Sequence, residues 1–135
     1  ARHGVYVDQM RLNNSEGGEG KFAGGKGLIM DYRIRSKDAW ITAAFTRSKT
    51  LPWSLEGGNE GSANFVEVIR KNGKVEKYSV VSGLSLDPED VVRIHTGNGG
   101  GYGDPKERDK QLIENDLLNE YITIEQAQKK YNYKK

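Results

Sequence analysis

The chain has 135 residues, 35% of them hydrophobic, with 17 glycines, no cysteine, and 21 basic against 19 acidic side chains for a net charge of +2. That length holds one modest core, the low apolar and high glycine content favours a loop-rich β architecture over a helical bundle, and near-cancelling charge speaks against a nucleic-acid binder. Lack of cysteine excludes disulfides and thiolate metal sites, and no apolar run reaches the about 18 residues that would span a membrane.

In chain order, Val5 to Leu12 carries β-branched and aromatic residues and reads as a first strand. Asn13 to Gly27 is a glycine-dense loop, and Phe22 in its middle suggests that the loop is anchored. Leu28 to Arg35 reads as a second strand, with Leu28, Met30, Tyr32 and Ile34 on its buried face and Ile29, Asp31, Arg33 and Arg35 opposite. Ala39 to Arg47 is a third strand, followed by Leu51-Pro52-Trp53-Ser54-Leu55 leading into Gly57-Gly58. Phe65 to Arg70 and Val75 to Val81 flank Asn72-Gly73, which predicts a hairpin closed by a type I′ turn. Val91 to His95 is a last short strand.

Thr96 to Asp104 is the most informative stretch, with glycine at 97, 99, 100, 101 and 103. Asp104 followed by Pro105 supplies a cap and a first helical residue, and Glu107 an anion for the first turn. A helix is predicted from there to Glu120, with Leu112, Ile113, Leu117 and Leu118 at helical spacing. Thr123-Ile124-Glu125-Gln126 has the form of a capping box opening a second helix to about residue 130. The closing lysines Lys129, Lys130, Lys134 and Lys135 read as a solvated helix end.

A self-contained active site is not visible, and no catalytic residue is assigned. His3 and His95 are far apart and lack metal-ligand spacing, so no metal site is assigned and a structural or partly exposed role is preferred for His95. No nucleophile elbow, Walker lysine motif or EF-hand spacing occurs. The N–H groups of Gly99, Gly100, Gly101 and Gly103 run from strand toward helix and could cradle an anion, but Asp104 and Glu107 already occupy the positive end, which favours a structural turn. Trp53 suits either a core or a contact anchor, and Arg47 a buried or interfacial ion pair whose partner the sequence does not name.

Taken in sequence, these motifs resemble those of the hydantoinase B/5-oxoprolinase family. Gly17 to Gly27 resembles its Gly-Gly-x-Gly-x-x-Arg-Gly-Gly-x-Gly segment, with Ala23 standing where the arginine is usual. Pro52-Trp53-Ser54 with Gly57, Gly58 and Gly61 is similar to its Pro-Trp-Gly turn, and Gly99 to Pro105 with Arg108-Asp109 to its Gly-Gly-Gly-Tyr-Gly-Asp-Pro-x-x-Arg-Asp block. Asp116 through Glu125 and Ala127 to Tyr131 is similar to its closing segment; Ser54 and Glu120 stand where the family has glycine, and Asn132-Tyr133 where it ends in Gly-Val.

The resemblance implies a large subunit that works with a nucleotide-binding hydantoinase A-like subunit, opening cyclic amides with ATP or, in related assemblies, carboxylating ketones. ATP and a divalent metal are then expected in the full complex and no cofactor in this chain; the partners are the remainder of a hydantoinase B-like subunit and the hydantoinase A-like subunit, with no nucleic acid or membrane.

The expected fold is mainly β, a sandwich or distorted barrel of short strands with a C-terminal pair of α-helices. One domain is expected over 1–135, its β part about 5–96, its glycine-rich junction 97–104 and its helical end 105–131. The start at Ala1 without an initiator methionine suggests a processed subunit or the C-terminal piece of a longer chain, and cytoplasmic localisation is expected. Arg47, Trp53, His95 and Tyr102 are the candidates for an interface or substrate wall. An autonomous binding module is the other reading left open.

Overall fold

The computed structural model describes residues 4–134, so His3 and Lys135 lie outside the described residues. Seven strands and two α-helices follow in order: β1 (Val5–Leu12), β2 (Leu28–Ile34), β3 (Ala39–Ala44), β4 (Phe65–Ile69), β5 (Val75–Tyr78), β6 (Val80–Leu86), β7 (Val91–His95), α1 (Lys110–Leu118) and α2 (Ile124–Tyr131). The fold is mainly β with a C-terminal helical pair, as expected. No helix among the described residues is long and apolar enough to cross a membrane.

Five strands form one antiparallel sheet in the order β1-β2-β7-β4-β5, and β3 and β6 form a separate two-stranded ribbon. The two layers meet around Ile34, Val66, Val68, Leu86 and Val92, with Ile41, Phe45, Leu84 and Ile94 packed against them. This is a sandwich of unequal layers. Alternation drives it: Val66 and Val68 face inward while Phe65, Glu67 and Ile69 face out. A second, smaller core of Ile113, Ala127 and Tyr131 joins the helices.

The structure departs from the sequence reading at four places. Residues 75–81 do not form one strand: the chain leaves β5 at Ser79 and re-enters the other sheet as β6, which runs on to Leu86 through Gly83. The 70–74 hairpin is not type I′, since only Gly73 is left-handed (φ 86°); the Gly73 N–H donates to the Arg70 carbonyl and Arg70 N–H to Lys74, giving a loop with glycine at its left-handed position.

On β2 the inward set includes buried Ile34 as expected, but Ile29 and Asp31 on the opposite face are buried too. Asp31 lies opposite Arg93, whose guanidinium grips both carboxylate oxygens at 2.8 and 2.7 Å, and Gln9 adds a bond at 2.7 Å. Finally, the first helix is broken. Asp104 caps a single 3-10 turn, Pro105–Glu107, and Asp109 starts α1 afresh by accepting from Gln111 N–H at 2.7 Å. The second helix opens on the capping box of Thr123 and Gln126.

Candidate functional site

The chemistry of this molecule gathers around three glycine loops, 17–27, 52–62 and 96–103. The last runs between the other two and is hydrogen-bonded to both. Gly99 N–H donates to the Gly25 carbonyl (2.9 Å), Tyr102 and Phe22 exchange bonds at 2.9 and 3.0 Å, Gly101 N–H donates to Asn59 (2.9 Å) and Gly103 N–H to Leu55 (3.0 Å). Backbones approach so closely that a Cβ on Gly100 would overlap the Trp53 carbonyl, and one on Gly97 the Ser62 carbonyl.

Asn98, fully buried, is the bolt through this stack. Its Oδ1 accepts from Gly27 N–H, its Nδ2 donates to the Ser15 carbonyl and its own N–H donates to Ser62 Oγ at 2.8 Å. The sequence reading passed over Asn98 because a polar residue among glycines reads as loop. With the N–H groups of Gly99, Gly101 and Gly103 spent on carbonyls, and only a 3-10 turn behind them, the stretch does not present the row of donors an anion cradle needs. Asp104 does cap, accepting from Lys106 N–H at 2.9 Å.

The outer side of the stack is aromatic. Bridges place Phe22 and Leu55 on either side of Tyr102, with the Phe22 and Tyr102 rings 6.3 Å apart, and all three are exposed. Trp53, two residues before Leu55, is 71% exposed, which decides between core and contact anchor in favour of a surface position. The Arg47 guanidinium lies 5.5 Å from its ring centroid, so within the chain its neighbour is an aromatic face. His95 belongs to a different neighbourhood: its Nε2 meets Glu67 Oε2 at 3.0 Å and its ring stacks on Phe65.

Between the 17–26 loop and the helices lies a cavity of about 360 Å3 that the sequence reading did not anticipate. Glu19, Lys26, Arg108, Asp116 and Tyr131 converge on it, with Leu12 and Ile122 as apolar wall. Arg108 reaches Asp116 Oδ2 from Nη2 (2.8 Å) and Nε (3.2 Å) and the Lys21 carbonyl from Nη1. The Glu19 carboxylate is filled by Gly17 N–H and Asn59 Nδ2, both at 2.9 Å. Burial raises its pKa, but these hydrogen bonds outweigh burial and hold it below the ordinary value.

Burial lowers the pKa of Lys26 against the pull of Glu19 and Asp116. Burial likewise pushes the Tyr131 phenol up to about 12. Among the described residues neither the Lys26 ammonium nor the Tyr131 hydroxyl has a hydrogen-bond or ion-pair partner. Arg108, Asp116 and Tyr131 all stand in motifs visible in the sequence; only the folding of α1 and α2 against the first glycine loop reveals that they share a cavity with Lys26.

A family model described as hydantoinase B/oxoprolinase matches residues 1–105. An uncharacterised protein of Methanocaldococcus jannaschii is 36% identical over 96% of this chain and 23% of its own length. The caprolactamase subunit beta of Pseudomonas jessenii is 28% identical over 94% of this chain and 22% of its own. The crystal structure of the ATP-dependent caprolactamase from that organism matches with a TM-score of 0.77 at 26% identity, covering 96% of this chain and 23% of that one. An acetone carboxylase structure matches with the same TM-score at 17% identity, over 95% of this chain and 21% of that one, and shares the fold. The chain thus spans less than a quarter of the length of these relatives.

Proposed function

The chain belongs to the hydantoinase B/oxoprolinase family, and from that premise we propose that it serves as the C-terminal scaffold module of a subunit in an ATP-dependent cyclic-amide hydrolase. The observation that carries this reading is the aromatic side of the glycine stack. Phe22, Trp53, Leu55 and Tyr102 are held outward by loops whose own backbone donors are turned inward. Exposed aromatics on a rigid frame are what a subunit interface or a cavity wall is built from. The caprolactamase relative is ATP-dependent by its title and is named with a subunit beta, which supports a partnered role.

Among the described residues no three His, Cys, Asp or Glu side chains gather as metal ligands. ATP and its divalent metal are proposed, from the family resemblance, to be held by the remainder of the assembly, on a hydantoinase A-like subunit and the rest of the hydantoinase B-like one.

The test is reconstitution. The chain alone should open no hydantoin, lactam or 5-oxoproline with ATP, whereas the assembly of complete subunits should; turnover by the isolated chain overturns the scaffold reading. ATP consumption by the assembly that depends on bicarbonate and a ketone would place it with the carboxylases instead. Trp53→Ala combined with Tyr102→Ala should weaken retention of the partner subunit by about tenfold or more, as loss of aromatic anchors does, and unchanged retention would remove those residues from the interface.

A further inference from the structure

We propose that the cavity between the first glycine loop and the helical pair is a binding site for a small organic monocarboxylate, held by the Lys26 ammonium and the Tyr131 hydroxyl with its apolar body against Leu12 and Ile122. This goes beyond the scaffold reading and does not depend on it. The volume of about 360 Å3 lies in the range of small-molecule sites, roughly 300–1,000 Å3.

Its polar groups are unevenly committed. Glu19 is filled by Gly17 N–H and Asn59, and Asp116 Oδ2 by both Arg108 nitrogens. Lys26 and Tyr131 are left over, and each has a proton to offer: an ammonium donates and cannot accept, and a phenol whose ionisation is pushed up to about 12 keeps its proton to donate while its oxygen can also accept. Tyr131 is only 5% exposed, yet its oxygen is not among the sealed, unsatisfied atoms, so it opens into the cavity it lines.

A half-buried ammonium with no counter-ion within ion-pair distance among the described residues gains most from an incoming anion. The anion's charge is limited by its neighbours. Phosphate would bring nearly two negative charges beside Glu19 and Asp116, whereas a carboxylate brings one and is balanced by Lys26. A cationic ligand would meet Lys26 and Arg108. The apolar wall selects an organic body over a bare inorganic ion.

The experiment titrates the chain with pentanoate and with pentanamide, which has the same shape without the charge, following backbone amide resonances and heat. Pentanoate should give saturable shifts at Gly25, Lys26 and Tyr131, and pentanamide should bind at least about tenfold more weakly. Lys26→Met and Tyr131→Phe should each weaken pentanoate by about tenfold. Tyr131→Phe removes only an unpartnered oxygen from the core, so it remains folded and informative if Lys26→Met does not. Absence of saturable shifts, equal affinity for the amide, or wild-type affinity in a folded Tyr131→Phe would each overturn the proposal.

Discussion

Asn98 and Glu120 show how much one side chain decides. Asn98 is wholly buried and ties Gly27 and Ser15 to Ser62 of loop 52–62 through three hydrogen bonds. Asn98→Ala strands the Gly27 N–H and the Ser15 carbonyl and leaves a hole, so it should cost about 2–4 kcal/mol in denaturant unfolding. Glu120 sits at φ 56°, just past α1, at a position where the related motif has glycine. Left-handed backbone strains any residue with a Cβ. Glu120→Gly should relieve that strain, adding about 0.5–1 kcal/mol after the entropic cost of a freer unfolded chain; a thermal melt should rise by about 2–5 °C.

At the scale of elements, the outer face of the large sheet carries a cross-strand row, Lys77, Glu67, Arg93, Asp31 and Gln9, in register across five strands. The Arg93 hydrogen bonds, helped by Gln9 and working against burial, hold the Asp31 carboxyl below its usual range. A carboxyl with a depressed folded pKa stabilises the fold above its unfolded pKa of about 3.9, and that stability is lost as pH falls through the lower folded value. Acid unfolding should accordingly steepen below about pH 4, and Asp31→Asn should flatten that limb while lowering stability at neutral pH by about 2–3 kcal/mol. A limb unchanged by the substitution would show that other carboxylates set it.

Strands were legible where local pattern and tertiary demand agreed: β1 and β7 have the bounds their β-branched runs mark out. They were not legible where the deciding interaction was distant. Asp31 looked like a solvent residue until Arg93 arrived from 62 positions away. β6 was hidden because Val80 to Leu86 contains Gly83 and serine, and only its pairing with β3 makes it a strand. The break between Asp104 and Asp109 was missed because two successive carboxylate caps look, in one dimension, like a single acidic helix start.

For the whole molecule, the aromatic group was half legible. The sequence picked out Tyr102 and the exposed Trp53, but Phe22 and Leu55 meet Tyr102 only because two loops bridge it from opposite sides. The cavity was not legible at all, since its polar groups come from residues 19, 26, 108, 116 and 131.

The bonds made by the central glycine strand span long stretches of chain: 71 residues from Gly27 to Asn98, 83 from Ser15 to Asn98, and 68 from Leu28 to Thr96. Such closures surrender chain entropy before any contact rewards them, which places the assembly of the stack late and slow in folding, in the millisecond-to-second regime of non-local β topologies. During synthesis the first two loops can bond only to each other, through Gly18 to Glu60 and Asn59 to Glu19, until Thr96 to Gly103 has left the ribosome. In a refolding experiment the Asn98 amide, buried in the stack, should gain protection from exchange after the amides of the hairpin strands, and the interval between them measures that wait.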